Sequence, residues 1–285
     1  MKTLTDTRRM LWLLVSLAWL PFSACEIDRV VDAGGQATER ETFSFQVEAV
    51  NQSRLRVEGI NGPVEIVGVP GATTVEIWGE RRVTSQSHED AAAYLRHLEV
   101  RVSDSREEVL VKTIQPNDTH GRTLEVVYHL RLPAAWQVQV KNVNGNVRVD
   151  SLQQQAKINL ANGNVELYEI SGTATAALTN GNLVMRGVHG NVSGELINGN
   201  ILVETRLVPN GVCELSAVNG IISLQIPKAT SAELEAKVSN GTINLSGLTL
   251  QVAASSPQTL RGRLGAGEGR IALATVNGNI LVAGF

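Results

Sequence analysis

The chain has 285 residues, a net charge of −3 at pH 7 and an aromatic content of 4%. Residues 1–24 hold three of the basic residues and one of the acidic residues, so the rest of the chain carries a net charge of −5, which argues against nucleic acid or anionic lipid as a partner. The scarcity of aromatic rings also argues against a sugar-binding groove, since such grooves stack rings against the sugar.

Residues 1–24 are predicted to be a lipoprotein signal peptide. Lys2, Arg8 and Arg9 precede MLWLLVSLAWL, an apolar run too short to span a bilayer. The segment ends in PFSAC, and small residues directly before Cys25 resemble the lipobox of bacterial lipoproteins, in which that cysteine is acylated. The alternative is an ordinary cleaved signal with a chance cysteine. The Arg8-Arg9 pair is an incomplete motif for twin-arginine export.

An acylated Cys25 would anchor the chain in the cell envelope, at the outer membrane or the periplasmic face. The second cysteine, Cys213, would then have no disulfide partner, so the fold must be held together by its core. Residues 25–40 are polar with a Gly pair, and they are predicted to tether the anchor to the folded part.

Residues 41–140 are predicted to be an irregular N-terminal β part with one short helix. Runs such as FSFQVEAV, RLRVEGI and TVEIWG place apolar residues at every second position and end at Gly, Pro or Asn-Gly, which is typical of strands. The segment SHEDAAAYLRHLEV predicts a helix near residues 88–98, with Ser87 as its N-cap and the acidic Glu89 and Asp90 in its first turn.

Residues 141–285 repeat the pair Asn-Gly. The pair occurs at Asn144 and then at intervals of 18, 18, 18, 21, 21 and 37 residues, with an earlier copy at Asn61. The last interval is about twice the others, which predicts that one turn signal near residues 255–257 has been lost. Repetition of this length is the signature of stacked units that cannot bury their apolar faces alone.

Two apolar strands flank each Asn-Gly pair. The positions six and four residues before the Asn, and three and five after it, are mostly apolar, as in Val138, Val140 and Val147, while most positions between them are polar. The pattern predicts two strands per unit with one face inward. Cys213 occupies one of these columns and is interpreted as a packed side chain rather than a nucleophile.

Two folds fit this pattern. Asn-Gly is a strong hairpin signal, so the units could be antiparallel hairpins in one meander. Seven hairpins would make a sheet of 14 strands with one apolar face uncovered, beyond the ~10 strands at which open twisted sheets usually end. A parallel β-solenoid wraps that face inside itself, so we predict an all-β solenoid with Asn-Gly repeats of about 18–21 residues.

The Asn side chains at the corners allow two interpretations. Gly accepts positive φ freely and Asn accepts it better than other residues with a side chain, so the pair suits a sharp change of direction. Stacked copies would also place the Asn amides above one another in a hydrogen-bonded ladder. The row is interpreted as structural turn geometry, with an edge that binds a repetitive ligand as the alternative. It consists of Asn144, Asn146, Asn162, Asn164, Asn180, Asn182, Asn198 and Asn200.

The sequence resembles a family of exported bacterial proteins on four segments: the lipobox at Cys25, INGPVEIVG, YHLRLP ahead of VKNVNGNVRV, and the closing GAGEGRIALATVNGNILV. Members of that family are named as candidate adhesins of unknown function, and their repetitive β-helix is similar to that of auto-transporter adhesins. The resemblance covers nearly all of the chain after Cys25. It implies a right-handed parallel β-helix and supplies no catalytic or binding residue to carry over.

No residue pattern indicates catalysis, a metal or a cofactor. The five His residues are scattered, and none stands at metal-ligand spacing from Cys or acidic residues. The corners offer neutral Asn where calcium-binding solenoids place Asp. Outward charges such as Arg148, Glu166 and Glu204 are mixed in sign and are interpreted as a solubilising surface. A polysaccharide-active β-helix enzyme, which needs converging acidic or basic side chains, is the less favoured alternative.

The sequence therefore predicts a lipid-anchored, non-catalytic β-solenoid that acts as an adhesin-like binding or scaffold protein at the bacterial cell envelope. Its expected partners are the membrane, through Cys25, and an unidentified protein or glycan ligand. The alternative role is a periplasmic platform for envelope sensing or maintenance. The closing segment ILVAGF is expected to form an open end of the solenoid, covered by a crossing segment or by another chain.

Overall fold

The structure is a computed structural model that describes Val30, Val31 and residues 35–285. The predicted signal peptide, residues 1–24, and the predicted lipidation site, Cys25, lie outside the described residues. Within the described part of the chain, no helix is both long enough and apolar enough to cross a membrane.

The described chain consists mainly of β-strands, with one helix, α1 (His88–Leu95). In chain order the strands are β1 (Val30–Val31), β2 (Ala37–Glu48), β3 (Arg54–Glu58), β4 (Val64–Val69), β5 (Thr74–Ser85), β6 (Glu99–Asp104), β7 (Glu108–Ile114), β8 (Thr123–Pro133), β9 (Gln137–Asn144), β10 (Val147–Leu152), β11 (Ala156–Asn162), β12 (Val165–Ile170), β13 (Ala174–Asn180), β14 (Leu183–Val188), β15 (Val192–Asn198), β16 (Ile201–Thr205), β17 (Val212–Asn219), β18 (Ile222–Ile226), β19 (Ala232–Asn240), β20 (Ile243–Ser246), β21 (Leu250–Ser256), β22 (Thr259–Leu264), β23 (Gly269–Asn277) and β24 (Ile280–Gly284).

These strands form two 12-stranded sheets that share one apolar core. Sheet A has the order β1-β2-β5-β8-β4-β10-β12-β14-β16-β18-β24-β20. Sheet B has the order β21-β22-β19-β23-β17-β15-β13-β11-β9-β3-β7-β6.

From β9 to β18, each repeat contributes one strand to sheet B and the next strand to sheet A. Successive repeats pair in parallel and in register, so Val147 lies beside Val165 in sheet A and Ala156 lies beside Ala174 in sheet B. A meander would instead pair the two strands of one repeat with each other in antiparallel fashion. The parallel pairing therefore confirms the solenoid.

The inward columns carry the apolar residues that the repeat pattern predicts. Val147, Leu167 and Ile222 are fully buried, and so is Cys213, which stacks between Val192 and Ile271. Burial of one such aliphatic side chain stabilises the fold by about 1.5–3 kcal/mol. The stacking of like residues between neighbouring coils therefore stabilises the regular part.

Both ends of the solenoid depart from sequential order. The first coil, β3 and β4, lies between the later coils β7/β8 and β9/β10. The last coil, β23 and β24, lies between β17/β18 and β19/β20. The prediction that ILVAGF forms an open end is therefore wrong, because β24 is paired on both sides, with β18 and with β20.

The 37-residue interval before the last Asn-Gly pair is not a double repeat with a lost turn signal. After β20 the chain forms an antiparallel hairpin, β21 with β22, and β22 pairs in antiparallel fashion with β19. The chain then returns as β23 on the other side of β19. The edges at this end are consequently β21 in sheet B and β20 in sheet A.

At the N-terminal end, β1, β2 and β5 form an antiparallel extension of sheet A. Strand β2 begins at Ala37, three residues before the predicted end of the tether, because Ala37–Arg40 pair with Ser85–Arg82 of β5. Helix α1 ends at Leu95, three residues before its predicted end, and buries Ala91 and Leu95. Its N-cap is Ser87, whose side chain accepts a hydrogen bond from the backbone N–H of Asp90, as the sequence predicts.

Candidate binding surface

Glycine at each Asn-Gly corner solves a packing problem as well as a conformational one. At Gly163, Gly181 and Gly199, φ lies between +135° and +136°. A Cβ atom at any of these positions would overlap the carbonyl oxygen of the corner glycine in the neighbouring coil. The preceding Asn residues do not have positive φ, so the argument that Asn tolerates a left-handed backbone is wrong here.

The first Asn of each corner instead forms a continuous side-chain ladder. The Nδ2 of Asn162 donates to Oδ1 of Asn144 at 2.8 Å, and the same contact recurs from Asn180 to Asn162 at 2.8 Å and from Asn198 to Asn180 at 2.9 Å. The ladder continues to coils that are distant in sequence, with distances of 2.7–2.9 Å. In spatial order it runs through Asn61, Asn144, Asn162, Asn180, Asn198, Asn219, Asn277 and Asn240.

The second Asn of the corner forms a parallel row with a different contact. The Oδ1 of Asn146 accepts the backbone N–H of Asn164 at 2.9 Å, and Oδ1 of Asn164 accepts that of Asn182 at 2.9 Å. The row continues from Asn182 to Asn200 at 3.1 Å. These bonds tie each corner to the corner of the next coil, so the second Asn also joins neighbouring coils.

The ladder also presents unused hydrogen-bonding capacity to solvent. An Asn amide has two N–H donors and two acceptor lone pairs, and a ladder contact uses one of each. Asn144, Asn162, Asn180 and Asn198 are exposed. The corner edge therefore offers one free donor and one free acceptor per coil, repeated at the strand spacing of about 4.8 Å.

A groove of about 970 Å³ runs along the outer face of sheet B next to this ladder. Its apolar rim is the column directly before the Asn, where Ile197, Val218 and Val276 are 41–45% exposed. Small side chains such as Ala177 lie in the same groove. We define the sheet B groove as this outward surface from β9 to β19.

The sequence did contain a signal for this rim. Strand alternation places the residue before each Asn outward, yet in four of the seven regular repeats that residue is Val or Ile rather than a polar residue. The remaining members of the column are Ala161, Thr179 and Ser239.

The end of the groove at β19 is closed by the hairpin and by a charge cluster. The backbone N–H of Val238 donates to the carbonyl oxygen of Gln258, in the hairpin turn, at 2.9 Å. Lys237 and Arg261 both contact Oε1 of Glu235, at 2.6 and 2.5 Å. Hydrogen bonds from Lys237 and then Arg261 lower the pKa of the Glu235 carboxyl, so this carboxylate stays ionised and paired.

The described residues show few of the side-chain arrangements that metal binding or catalysis requires. No group of three or more His, Cys, Asp or Glu side chains in residues 35–285 is placed to hold a metal ion. Cys213 is fully buried, and burial raises the pKa of its thiol to about 12, so it is protonated at neutral pH. His88 and His129 each contact a single carboxylate, Glu39 at 2.7 Å and Glu65 at 3.0 Å.

Residues 91–283, more than half of the chain, match the family model described as Toastrack DUF4097. The chain belongs to the Toastrack family. The corner ladder, the parallel-stacked coils and the groove are thus features of this Toastrack solenoid. No curated protein matches the chain.

Several solved structures are similar to this Toastrack chain. A candidate cell adhesion protein of Clostridium sporogenes is 12% identical, with 86% of this chain and all of that chain covered and a TM-score of 0.35. A candidate adhesin of Bacteroides fragilis is 9% identical, with 85% and 96% covered and a TM-score of 0.28. A candidate lipid-binding protein of Parabacteroides distasonis is 10% identical, with 86% and 95% covered and a TM-score of 0.32. Likeness at this level transfers no function to this chain.

Proposed function

We propose that this protein is an exported, lipid-anchored, non-catalytic solenoid that acts as an adhesin-like binding or scaffold protein at the bacterial cell envelope. The observation that supports binding is the sheet B groove, where exposed Val and Ile side chains line a concave surface next to the corner ladder. Exposed apolar side chains that cluster in a groove are typical of a surface that binds a partner.

The proposed anchor agrees with the position of the groove. The chain enters the described fold at β1, which lies at the end of sheet A, five strands away from β10. At the usual strand spacing this is about 24 Å. A lipid on Cys25 would therefore hold the β1 end near the membrane and leave the groove accessible beyond it.

The proposed absence of catalysis is supported by the state of the outward carboxylates. Glu166 pairs with Arg148 at 3.2 Å, and Glu235 is held by Lys237 and Arg261. Glycoside hydrolysis requires two carboxyl groups that converge on one bond. Glu166 and Glu235, each neutralised by a basic neighbour, do not form such a pair.

Protease treatment of intact cells tests this proposal. If the protein is an adhesin on the outer surface, external protease will digest it in intact cells. Protection until lysis would favour the alternative role as a periplasmic platform for envelope sensing or maintenance. A Cys25→Ala variant is the control for the anchor: it should lose membrane association, and unchanged association would show that the lipoprotein assignment is wrong.

A further inference from the structure

The two sheets end at different levels at the C-terminal end of the solenoid. Sheet A ends with β20, whereas sheet B continues past β19, the partner of β20 in the last coil, with β22 and then β21. Sheet B therefore overhangs sheet A by two strands, a step of about 10 Å at the usual strand spacing. At the opposite end sheet A overhangs sheet B, but helix α1 packs against β2 and β5 there.

The inner face of the overhang at the C-terminal end is apolar and largely uncovered. Val252 of β21 aligns with Gly262 of β22, which aligns with the inward Leu234 of β19. The side chain of Val252 is therefore on the core side of sheet B, yet it is 57% exposed. A core-facing side chain with this exposure indicates that the described residues leave the place opposite it open.

Strand β20 shows the same opening from the side of sheet A. Its inward residues Ile243 and Leu245 are only half-buried. The residues beside them on β24, Ile280 and Val282, are at most 1% exposed. The apolar core is thus closed at β24 and accessible to solvent one strand later.

The two edge strands at this step carry no charge. Residues 242–260, which include β20, β21 and the turn into β22, contain no charged residue. In contrast, β6, the edge of sheet B at the opposite end, contains Glu99, Arg101 and Asp104. Charged side chains on an edge strand prevent it from pairing with another chain. The edges at the C-terminal end lack that protection, so they are suited to pairing.

A second copy of the chain fits the step because the step is complementary to itself. A two-fold axis that runs parallel to the strands, midway between the sheets, exchanges the two sheets and reverses the direction of the solenoid. The two overhanging strands of each copy then take the place of the two strands that sheet A of the other copy lacks. Each sheet A continues from β20 into β21 and β22 of the second copy.

The strand directions suit this contact. Strand β22 is antiparallel to both β19 and β21, so β21 runs in the same direction as β19. The chain reverses at the corner between β19 and β20, so β20 runs in the opposite direction. Because the axis preserves strand direction, β20 and β21 of the second copy meet as an antiparallel pair, the more stable type of pairing.

The axis also preserves the position of each residue along the strands. Ser256 aligns through Thr259 with Lys237, three residues before Asn240. Asn244 lies at a similar distance beyond the same corner, on β20. Ser256 of one copy therefore lies beside Asn244 of the other, on the outer surface of sheet A.

We propose that the C-terminal end of the solenoid binds a second copy of this chain about this axis. The pair is one continuous stack of two sheets, in which Ile243, Leu245 and Val252 become buried. A single strand from another protein would pair with one edge and leave the other edge uncovered. The contact uses neither the sheet B groove nor Cys25, so this inference goes beyond the proposed function.

Sedimentation equilibrium of the chain from residue 25 onward, made without lipid by Cys25→Ser, tests the pairing. We expect a dimer whose dissociation constant does not increase with salt, because no charge pair crosses the contact. Val252→Lys should raise that constant at least about tenfold, because it places a charge in the closed core of the pair. A monomer of the unsubstituted solenoid at about 100 µM would overturn the proposal.

The matched control is Val50→Lys, which should leave the dimer intact. Val50 is also exposed, at 75%, and it lies between β2 and β3, away from the step. A Val252→Lys dimer as tight as that of Val50→Lys would overturn the proposal. Circular dichroism of each variant verifies that a loss of pairing is not a loss of fold.

Cysteine crosslinking of the same lipid-free chain tests the axis. Asn244 and Ser256 are exposed on different sheets of one chain, and the axis brings them together only between copies. A mixture of Asn244→Cys and Ser256→Cys chains should give a dimer with a short bismaleimide, whereas each variant alone should not. The native Cys213 is buried and does not compete. No crosslink in the mixture, or an equal yield from either variant alone, would overturn the proposed pairing.

Discussion

At each corner of the solenoid, Asn and Gly act on different parts of the structure. Gly181 is required because the carbonyl oxygen of Gly163 in the neighbouring coil occupies the space of a Cβ. Asn180 is required because its amide donates to Asn162 and accepts from Asn198. The pair is therefore a unit of stacking between coils, and its turn geometry is only part of its role.

Asn180→Ala should reduce the free energy of unfolding by about 1–2 kcal/mol, because it removes two ladder hydrogen bonds that are each worth about 0.5–1.5 kcal/mol. Urea denaturation measures the change. The matched control is Asn244→Ala, an exposed Asn of β20 for which no side-chain hydrogen bond is formed among the described residues. Equal stability of the two variants would show that the ladder contributes nothing.

Gly181→Ala should be far more costly than an ordinary glycine replacement. The new Cβ would overlap a backbone carbonyl that is itself fixed by both sheets, so we expect a loss of more than about 3 kcal/mol, or failure to fold. Gly71→Ala is the control, because Gly71 has φ +73° with open space around it and should cost only about 1–2 kcal/mol. Thermal melting compares the two; similar midpoints would refute the packing argument.

At the scale of elements, helix α1 is fixed by one acidic residue in its first turn. The Oδ1 and Oδ2 atoms of Asp90 accept hydrogen bonds from Arg122 at 2.6 and 2.7 Å, and the hydroxyl of Ser85 on β5 also donates to Asp90. Hydrogen bonds from Arg122, and then from Ser85, lower the pKa of Asp90 from 3.8 to about 2. The ionised carboxylate therefore joins the helix to the β7–β8 connection and to β5.

Because the pKa of Asp90 is lower in the folded state than in the unfolded state, its contribution to stability is present above pH 4 and is lost as the pH falls to about 2. Asp90→Asn should therefore be less stable than wild type at neutral pH and should converge with it near pH 2. Urea midpoints from pH 2 to 6 measure this, with Glu89→Gln in the same helical turn as the control. Parallel pH curves for wild type and Asp90→Asn would contradict it.

For the whole molecule, the two ends differ from the middle in the order of their coils. The middle is sequential, so each coil is bounded by its neighbours in the chain. At the C-terminal end, β23 and β24 separate β17/β18 from β19/β20, and the hairpin carries the chain back to that position. The last coil is thus an internal part of the fold.

Deletion of residues 163–180 should leave a folded, shorter solenoid. Asn162 would then be followed by Gly181, and β11 would pair with β15 in the register that β13 now has with both. Deletion of residues 265–285 should abolish cooperative folding, because it removes the coil that joins β19/β20 to the rest. Thermal melting followed by circular dichroism compares the two deletion variants. A cooperative transition in the variant that lacks residues 265–285 would contradict the inserted position of β23 and β24.

The sequence by itself determined the repeat, the inward columns, the parallel solenoid and the cap of helix α1 at Ser87. The repeat, the inward columns and the cap follow from local periodicity or from short-range hydrogen bonds, and the solenoid follows from the size of the sheet that a meander would need. The tertiary structure decided the order of coils at both ends, the hairpin that replaces a repeat and the ladder contacts between distant corners. The reason is physical: near-identical coils present near-identical edges, so nothing local distinguishes docking on the preceding coil from insertion between two others. That choice is made by the stability of the whole stack.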